Sequence, residues 1–231
     1  RYSIIGLPCR ERLVVRDKTI TLETDTEVLE THQVDDPLAF IEDFKARFRV
    51  PELDNLPRFH GGLVGYFGYD TIAYIEPKLR NTEKADPLNT PDIMMMVSDE
   101  VVVFDNLRGR MYLVVTANIE RGDTLETVQA RMREISEAMQ NAAPRLPAKP
   151  ARTISEADFV SGFTESGFKA AVDRIKQYIL DGDCMQVVLS QRLSIPFNAQ
   201  PMDLYRALRG LNPSPYMYFM DMGEFQIVGS S

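Results

Sequence analysis

The chain has 231 residues, 44% of them hydrophobic and 26% charged, proportions that suit one large or two small globular domains able to bury a core. A formal net charge of −8 argues against a nucleic-acid or anionic-membrane surface, which would need clustered lysine and arginine. The two cysteines, Cys9 and Cys184, stand far apart without a histidine or second cysteine beside them, so neither a disulfide framework nor a cysteine metal site is expected and a reducing cytoplasm fits best. No apolar run reaches membrane-spanning length, and no signal-peptide pattern opens the chain.

In chain order, Arg1 to Gly6, Arg12 to Arg16 and Thr19 to Glu23 are predicted strands, the last two joined by the turn Asp17-Lys18. His32 is expected in a polar loop. Asp36 then caps a helix with Pro37 at its first position and Phe40, Ile41, Phe44 and Phe48 on its buried face, ending before Pro51. The run His60 to Asp70 is rich in glycine but lacks the Gly-Lys-Ser/Thr and Gly-x-Gly-x-x-Gly patterns, so a phosphate loop is not expected. Its alternation instead predicts a strand whose glycines admit a close neighbouring backbone. His60 is read as a hydrogen-bonded structural residue, and Asp70 and Glu76 lack a third partner for a metal site.

Leu79 to Pro91 reads as an exposed loop. Ile93 to Val97 and Glu100 to Asp105 are predicted strands, and Asn106 to Gly109 is a hairpin turn into Met111 to Thr116. Met94, Met95 and Met96 are expected to fill core space. Asp123 with Glu126 predicts a capping-box start to a helix that buries Val128, Met132, Ile135 and Met139. Three prolines between Asn141 and Arg152 mark a semi-rigid linker, hence an organisation of residues 1–140, a linker at 141–152, and a further domain at 153–231. Both ends lie inside or beside apparent strands and no Met opens the chain, which leads to the expectation of a segment of a longer protein.

Beyond the linker, Phe168, Val172, Ile175 and Ile179 recur at helical spacing, and Gly182 stands where a left-handed cap would close that helix. From Met185 the period changes to two. Val187, Leu189, Leu193 and Ile195 should then face a core, and Gln186, Ser190 and Arg192 should face the other way as a candidate ligand wall. A helix from Pro201, with Leu204, Ala207, Leu208 and Leu211 on its inner face, leads to Asn212-Pro213-Ser214-Pro215-Tyr216-Met217. Two prolines in four residues fix that loop's backbone angles, so little ordering entropy would be lost when a planar ligand arrived. Strands in hairpin-like groups, without regular βαβ alternation, predict an α+β protein with two packed antiparallel sheets and helices on the outside.

Four runs carry a family resemblance: His60-Gly61-Gly62-Leu63-Val64-Gly65-Tyr66-Phe67-Gly68-Tyr69-Asp70, Asp181-Gly182-Asp183-Cys184-Met185-Gln186-Val187-Val188-Leu189-Ser190-Gln191-Arg192, Leu208 to Phe219, and Phe225-Gln226-Ile227-Val228-Gly229-Ser230-Ser231. Together they resemble the chorismate-utilising enzymes, most closely the large subunits (component I) of anthranilate synthase. The resemblance implies a carbon–oxygen lyase of tryptophan biosynthesis, which converts chorismate and ammonia to anthranilate and pyruvate. It also implies a glutamine amidotransferase partner in a hetero-oligomer, Mg²⁺ as cofactor, and feedback inhibition by L-tryptophan.

By the same resemblance, Asn212, Pro213, Ser214, Pro215, Tyr216 and Met217 form part of the tryptophan site and Gln186 stands on an active-site wall. Family members that add water to chorismate have lysine at the position of Gln186. The metal carboxylates and most substrate ligands are expected outside this chain, in a second half that would be missing here, so the segment alone is predicted inactive. Aminodeoxychorismate synthase is the alternative within the family, and a non-catalytic amino-acid-binding module is the alternative outside it.

Overall fold

The computed structural model describes residues 1–51, 53–79, 86–141 and 154–231. Two compact units account for the chain, one of residues 1–144 with Met220–Phe225, the other of residues 145–219 with Gln226–Ser231. The proline-rich stretch expected as a linker lies, from residue 142 onward, outside the described residues.

The first unit is made of hairpins. Its strands are β1 (Tyr2–Gly6), β2 (Arg12–Arg16), β3 (Thr19–Glu23), β4 (Val28–Gln33), β5 (Gly62–Phe67), β6 (Ile93–Ser98), β7 (Glu100–Asp105) and β8 (Arg110–Val115). They form a five-stranded sheet in the order β4-β3-β2-β6-β5 and a three-stranded sheet in the order β1-β7-β8, with antiparallel neighbours throughout. The helices are α1 (Pro37–Ala46), the short α2 (Ile72–Ile75) and α3 (Leu125–Gln140). Antiparallel sheets with helices are the architecture that the hairpin grouping predicts.

Alternation along β2 sets the core. Leu13 and Val15 are fully buried and cluster with Ile20, Ile41, Phe44, Ile93 and Met95. Each such side chain contributes about 1.5–3 kcal/mol by leaving water. Val14 and Met94 lie on the opposite face of the sheet and are also buried, beside Met222, which is only 1% exposed. Helix α1 begins as its sequence dictates, the Asp36 carboxylate accepting the Leu38 and Ala39 amides at 3.0 Å each and Pro37 standing in the first turn. Ile41 and Phe44 are its buried apolar residues, while Phe48 lies beyond the helix and meets Phe44 edge-on.

Two local expectations are corrected. His32 is not in a loop but on β4, its ring tilted at 44° and 4.9 Å from that of Phe40, because β3 offers that segment an antiparallel edge to pair with. The cap of α3 is Thr124 with Thr127, not Asp123 with Glu126; the Thr124 hydroxyl accepts the Thr127 amide while Asp123 accepts the Asn118 amide at 2.7 Å.

β5 shows why its sequence needs glycine. A methyl group on Gly65 would sit 1.8 Å from the Met94 carbonyl oxygen on β6, closer than any real contact. Gly65→Ala is therefore expected to destabilise the fold by about 3 kcal/mol or more, since the obstacle is backbone that cannot move aside. Gly210→Ala, at a helical glycine with open space around it, is expected to be neutral or stabilising by up to about 1 kcal/mol. Urea unfolding of the two variants checks the contrast.

The three-stranded sheet carries a buried charge. Glu100 on β7 is 4% exposed and accepts from the Arg131 guanidinium of α3 at 2.8–3.1 Å, with Arg10 at 3.6 Å. The Arg131 hydrogen bonds hold the Glu100 carboxyl below its ordinary value of 4.5, against the opposing effect of burial. A carboxyl depressed on folding stabilises the native state above its unfolded value, and that stabilisation is lost as pH falls through the native one. The urea midpoint is thus expected to fall as pH drops below about 4.5, and Arg131→Met should flatten that dependence.

The second unit contains α4 (Glu165–Leu180), α5 (Pro201–Leu211), the two-residue strands β9 (Val160–Ser161) and β10 (Leu193–Ser194), the strand β12 (Gln226–Ser230), and the first three residues of β11 (Met217–Asp221). The strand predicted from Met185 to Ile195 is largely absent. Only Leu193–Ser194 pairs, with Val160–Ser161. Residues 183–192 include no strand, because alternation alone does not make one; a strand needs a neighbour to take its amide and carbonyl groups, and no ladder is formed there. The burial expected of its apolar face fails at Val187 and Leu193, which are exposed, while Leu189 and Ile195 are half-buried. On α5, Leu204 and Leu211 are exposed, while Tyr205 is the residue that meets Phe219 of β11, at 6.4 Å.

Candidate functional site

Helix α4 delivers the segment that holds Gln186. The Thr164 hydroxyl accepts the Gly167 amide at 3.1 Å and starts the helix. It ends in a Schellman turn: Asp183 N–H donates to the Tyr178 carbonyl at 2.9 Å, Gly182 N–H donates to the Ile179 carbonyl at 3.3 Å, and Gly182 adopts φ +82°. The chain then continues without regular secondary structure through Gln186, which is exposed. Further on, Gln191 Nε2 donates to Ser161 Oγ at 2.6 Å, which attaches the far end of the segment to β9.

The loop between α5 and β11 is more tightly held. Leu208 O accepts the Asn212 amide at 2.8 Å and closes the helix. The Ser214 hydroxyl accepts the Tyr216 amide at 3.3 Å and donates to the Ser231 carbonyl. Ser231 N–H donates to the Tyr216 carbonyl at 2.9 Å, and the Ser230 hydroxyl donates to the Asn212 carbonyl at 3.1 Å. Thus the end of β12 and the residue after it hold the loop at three points. Tyr216 itself is 75% exposed, an aromatic ring on a backbone that is fixed beneath it. The Tyr218 ring lies across Gly229, where a methyl group would come within 2.1 Å of it.

The first unit offers less. A cleft of about 310 Å³ on the Val14 face of the five-stranded sheet is lined by Arg12, Arg16, Thr21, Glu23 and Glu224 among others. Its leading cation is already engaged, Arg12 donating to Glu23 at 2.8 Å and to Asp25 at 3.3 Å. His60 bonds the Pro57 carbonyl through Nδ1 at 3.1 Å, a structural contact. The Tyr74 hydroxyl donates to Asp92 Oδ2 at 2.8 Å, and burial together with that carboxylate raises its pKa, so it remains a neutral donor. Sequence reasoning did not single out Ser230 and Ser231 as parts of the site. Their signal is their place at the end of a predicted strand that follows the proline loop, but pairing to that loop becomes visible only in three dimensions.

The sequence pattern of chorismate binding enzymes matches residues 8–231, and the chain belongs to that family. Within it, the chain is similar to anthranilate synthase component 1 of Pseudomonas aeruginosa, 51% identical over 100% of this chain and 47% of that protein. Against anthranilate synthase component 1 of Neisseria meningitidis serogroup B the identity is 49%, over 100% and 47% of the two chains. Among solved structures it is similar to anthranilate synthase component I from Streptococcus pneumoniae TIGR4, with a TM-score of 0.80 at 28% identity, covering 100% of this chain and 50% of that one. The chain therefore spans about half the length of the relatives it matches.

The Schellman turn before Gln186 can be tested on its own. Nothing lies within 4 Å of a methyl group built on Gly182, so Gly182→Ala meets no clash and pays only for its left-handed backbone. A loss of about 1 kcal/mol in urea unfolding is expected.

Proposed function

We propose that this chain acts within an anthranilate synthase component I, where it supplies one wall of the chorismate site and part of an L-tryptophan feedback site. The observation that supports this most is the match to chorismate binding enzymes over residues 8–231 together with about 50% identity to proteins of that name. The reaction consumes chorismate and ammonia and yields anthranilate, pyruvate and water. A carbon–nitrogen bond forms, the ring hydroxyl leaves as water and the enolpyruvyl group leaves as pyruvate, so no oxidant or reductant is needed.

Gln186 is assigned to the substrate wall. An amide has no proton equilibrium near neutral pH and cannot activate water as a general base, whereas ammonia attacks with its own lone pair. A glutamine at this position thus suits amination and not hydration. Ammonia is assigned to a glutamine amidotransferase partner in a cytoplasmic hetero-oligomer. Asn212, Pro213, Ser214, Pro215, Tyr216 and Met217 are assigned to L-tryptophan, for which the rigid loop and exposed Tyr216 ring provide a preorganised surface. Among the described residues no group of three or more His, Cys, Asp or Glu stands together as a metal site. By the family resemblance, Mg²⁺ is assigned to residues outside this chain.

The full-length polypeptide, supplied with chorismate, Mg²⁺ and ammonium, is expected to develop anthranilate fluorescence, and the 231-residue chain alone none. An aminated product without that fluorescence would instead point to aminodeoxychorismate synthase. In the full-length polypeptide, Gln186→Lys is expected to lower anthranilate formation and to release hydroxylated chorismate products at a low level. A desolvated lysine can have its pKa lowered toward neutrality, and one general base contributes about 10²- to 10⁴-fold. Gln186→Ala, which loses the amide without gaining a base, should lower the rate without the hydroxylated products. Ordinary anthranilate rates in both variants would show that Gln186 does not face the substrate.

A further inference from the structure

Within the loop assigned to L-tryptophan, the residues divide by what their polar atoms are already doing. A serine hydroxyl has one proton to give. That of Ser214 is given to the Ser231 carbonyl, and the same oxygen accepts the Tyr216 amide at 3.3 Å. The carbonyl of Tyr216 in turn takes the Ser231 amide at 2.9 Å, and that of Asn212 takes the Ser230 hydroxyl at 3.1 Å. Ser214 thus links the two sides of the clamp. It lies between two prolines that have no amide to contribute, so the Tyr216 amide is the first backbone donor after Pro213 and Pro215 that a hydroxyl at 214 can fix. A ligand carboxylate would require the proton that Ser214 has already committed.

We propose that Ser214 is a positioning residue for L-tryptophan, acting through the backbone of Tyr216 and not by contact with the ligand. The proposal rests on the assignment of this loop to tryptophan. It differs from that assignment by dividing the loop's roles: Tyr216 presents the ring, and Ser214 sets where the ring stands. Removing the hydroxyl releases the Tyr216 amide from its partner and takes away one of the loop's two bonds to Ser231, leaving the Ser231 amide on the Tyr216 carbonyl. The ordering cost of the loop is then met at binding, and every ligand that uses the ring loses affinity by the same factor.

The test is calorimetric titration of the full-length polypeptide with L-tryptophan and with L-tryptophan methyl ester, whose carboxylate is blocked. Ser214→Ala is expected to weaken both ligands in equal proportion, about two- to tenfold, the scale of one intramolecular hydrogen bond. Ser214→Thr, which keeps the hydroxyl, is expected to restore most of the affinity. If Ser214→Ala weakens the acid but not the ester, Ser214 touches the carboxylate and the proposal is overturned. Unchanged affinity for both ligands overturns it as well, since the clamp then has no bearing on the ligand. Failure of the unsubstituted polypeptide to bind L-tryptophan at all would overturn the assignment of the loop and this inference with it, and that outcome is seen before any substitution is made.

Discussion

The first unit depends on the burial of one strand from every side. β2 is paired along both edges, by β3 and by β6, and its residues are covered on both faces. Leu13 and Val15 enter the main cluster while Val14 faces the other way, so a shift of one residue would exchange the two sets and place Arg12 and Arg16 in the apolar core. The register is thereby fixed by energy and not by the turn alone. Gly65 adds a steric condition two strands away. Because β6 approaches β5 so closely at Met94, only a residue without a side chain completes the sheet there.

The second unit shows what the same sequence features yield when that kind of enclosure is lacking. Helix α4 has a clean apolar stripe, two well-formed caps and sixteen residues, yet none of them is fully buried. Helix α5 is more strongly amphipathic in sequence and still leaves Leu211 86% exposed. Amphipathic helices form from local propensity and capping, and they can persist with one face open. A strand instead needs a neighbour to take its backbone groups, and residues 183–192 have the alternation of a strand without the ladder of one.

This difference explains how much of the fold could be read in advance. β2, β3 and the β7 to β8 hairpin were legible because alternation and turn residues coincided with real neighbours close in sequence. The start of α1 was legible because Asp36-Pro37 acts within one turn. The polar run around His32 reads as a loop, yet a polar run can still pair when an edge is offered, and only the β3 edge decides it. For α3, Asp123 and Glu126 have the spacing of a reciprocal cap but Thr124 and Thr127 make it; composition does not say which pair will be used. The strand after Met185 failed because its partners are a property of the whole chain and not of the segment.

The candidate site follows the same rule. The two prolines announce rigidity from sequence, since each fixes its own backbone angle. What they do not announce is what the loop is rigid against. Proline restricts φ but leaves the loop free to swing as a body about its two ends. The bonds from Ser230 and Ser231 remove that freedom, and they come from residues some seventeen positions away. A loop held in this way by the end of a strand presents an aromatic ring at a fixed height with little left to order, which suits recognition of a ligand more than the movement of atoms in a reaction. The division between a clamped loop and an exposed segment without a strand ladder in one unit is in keeping with the division of roles proposed for them. The loop's clamping bonds are made within the second unit, whereas the wall proposed for Gln186 depends on groups proposed to lie outside this chain.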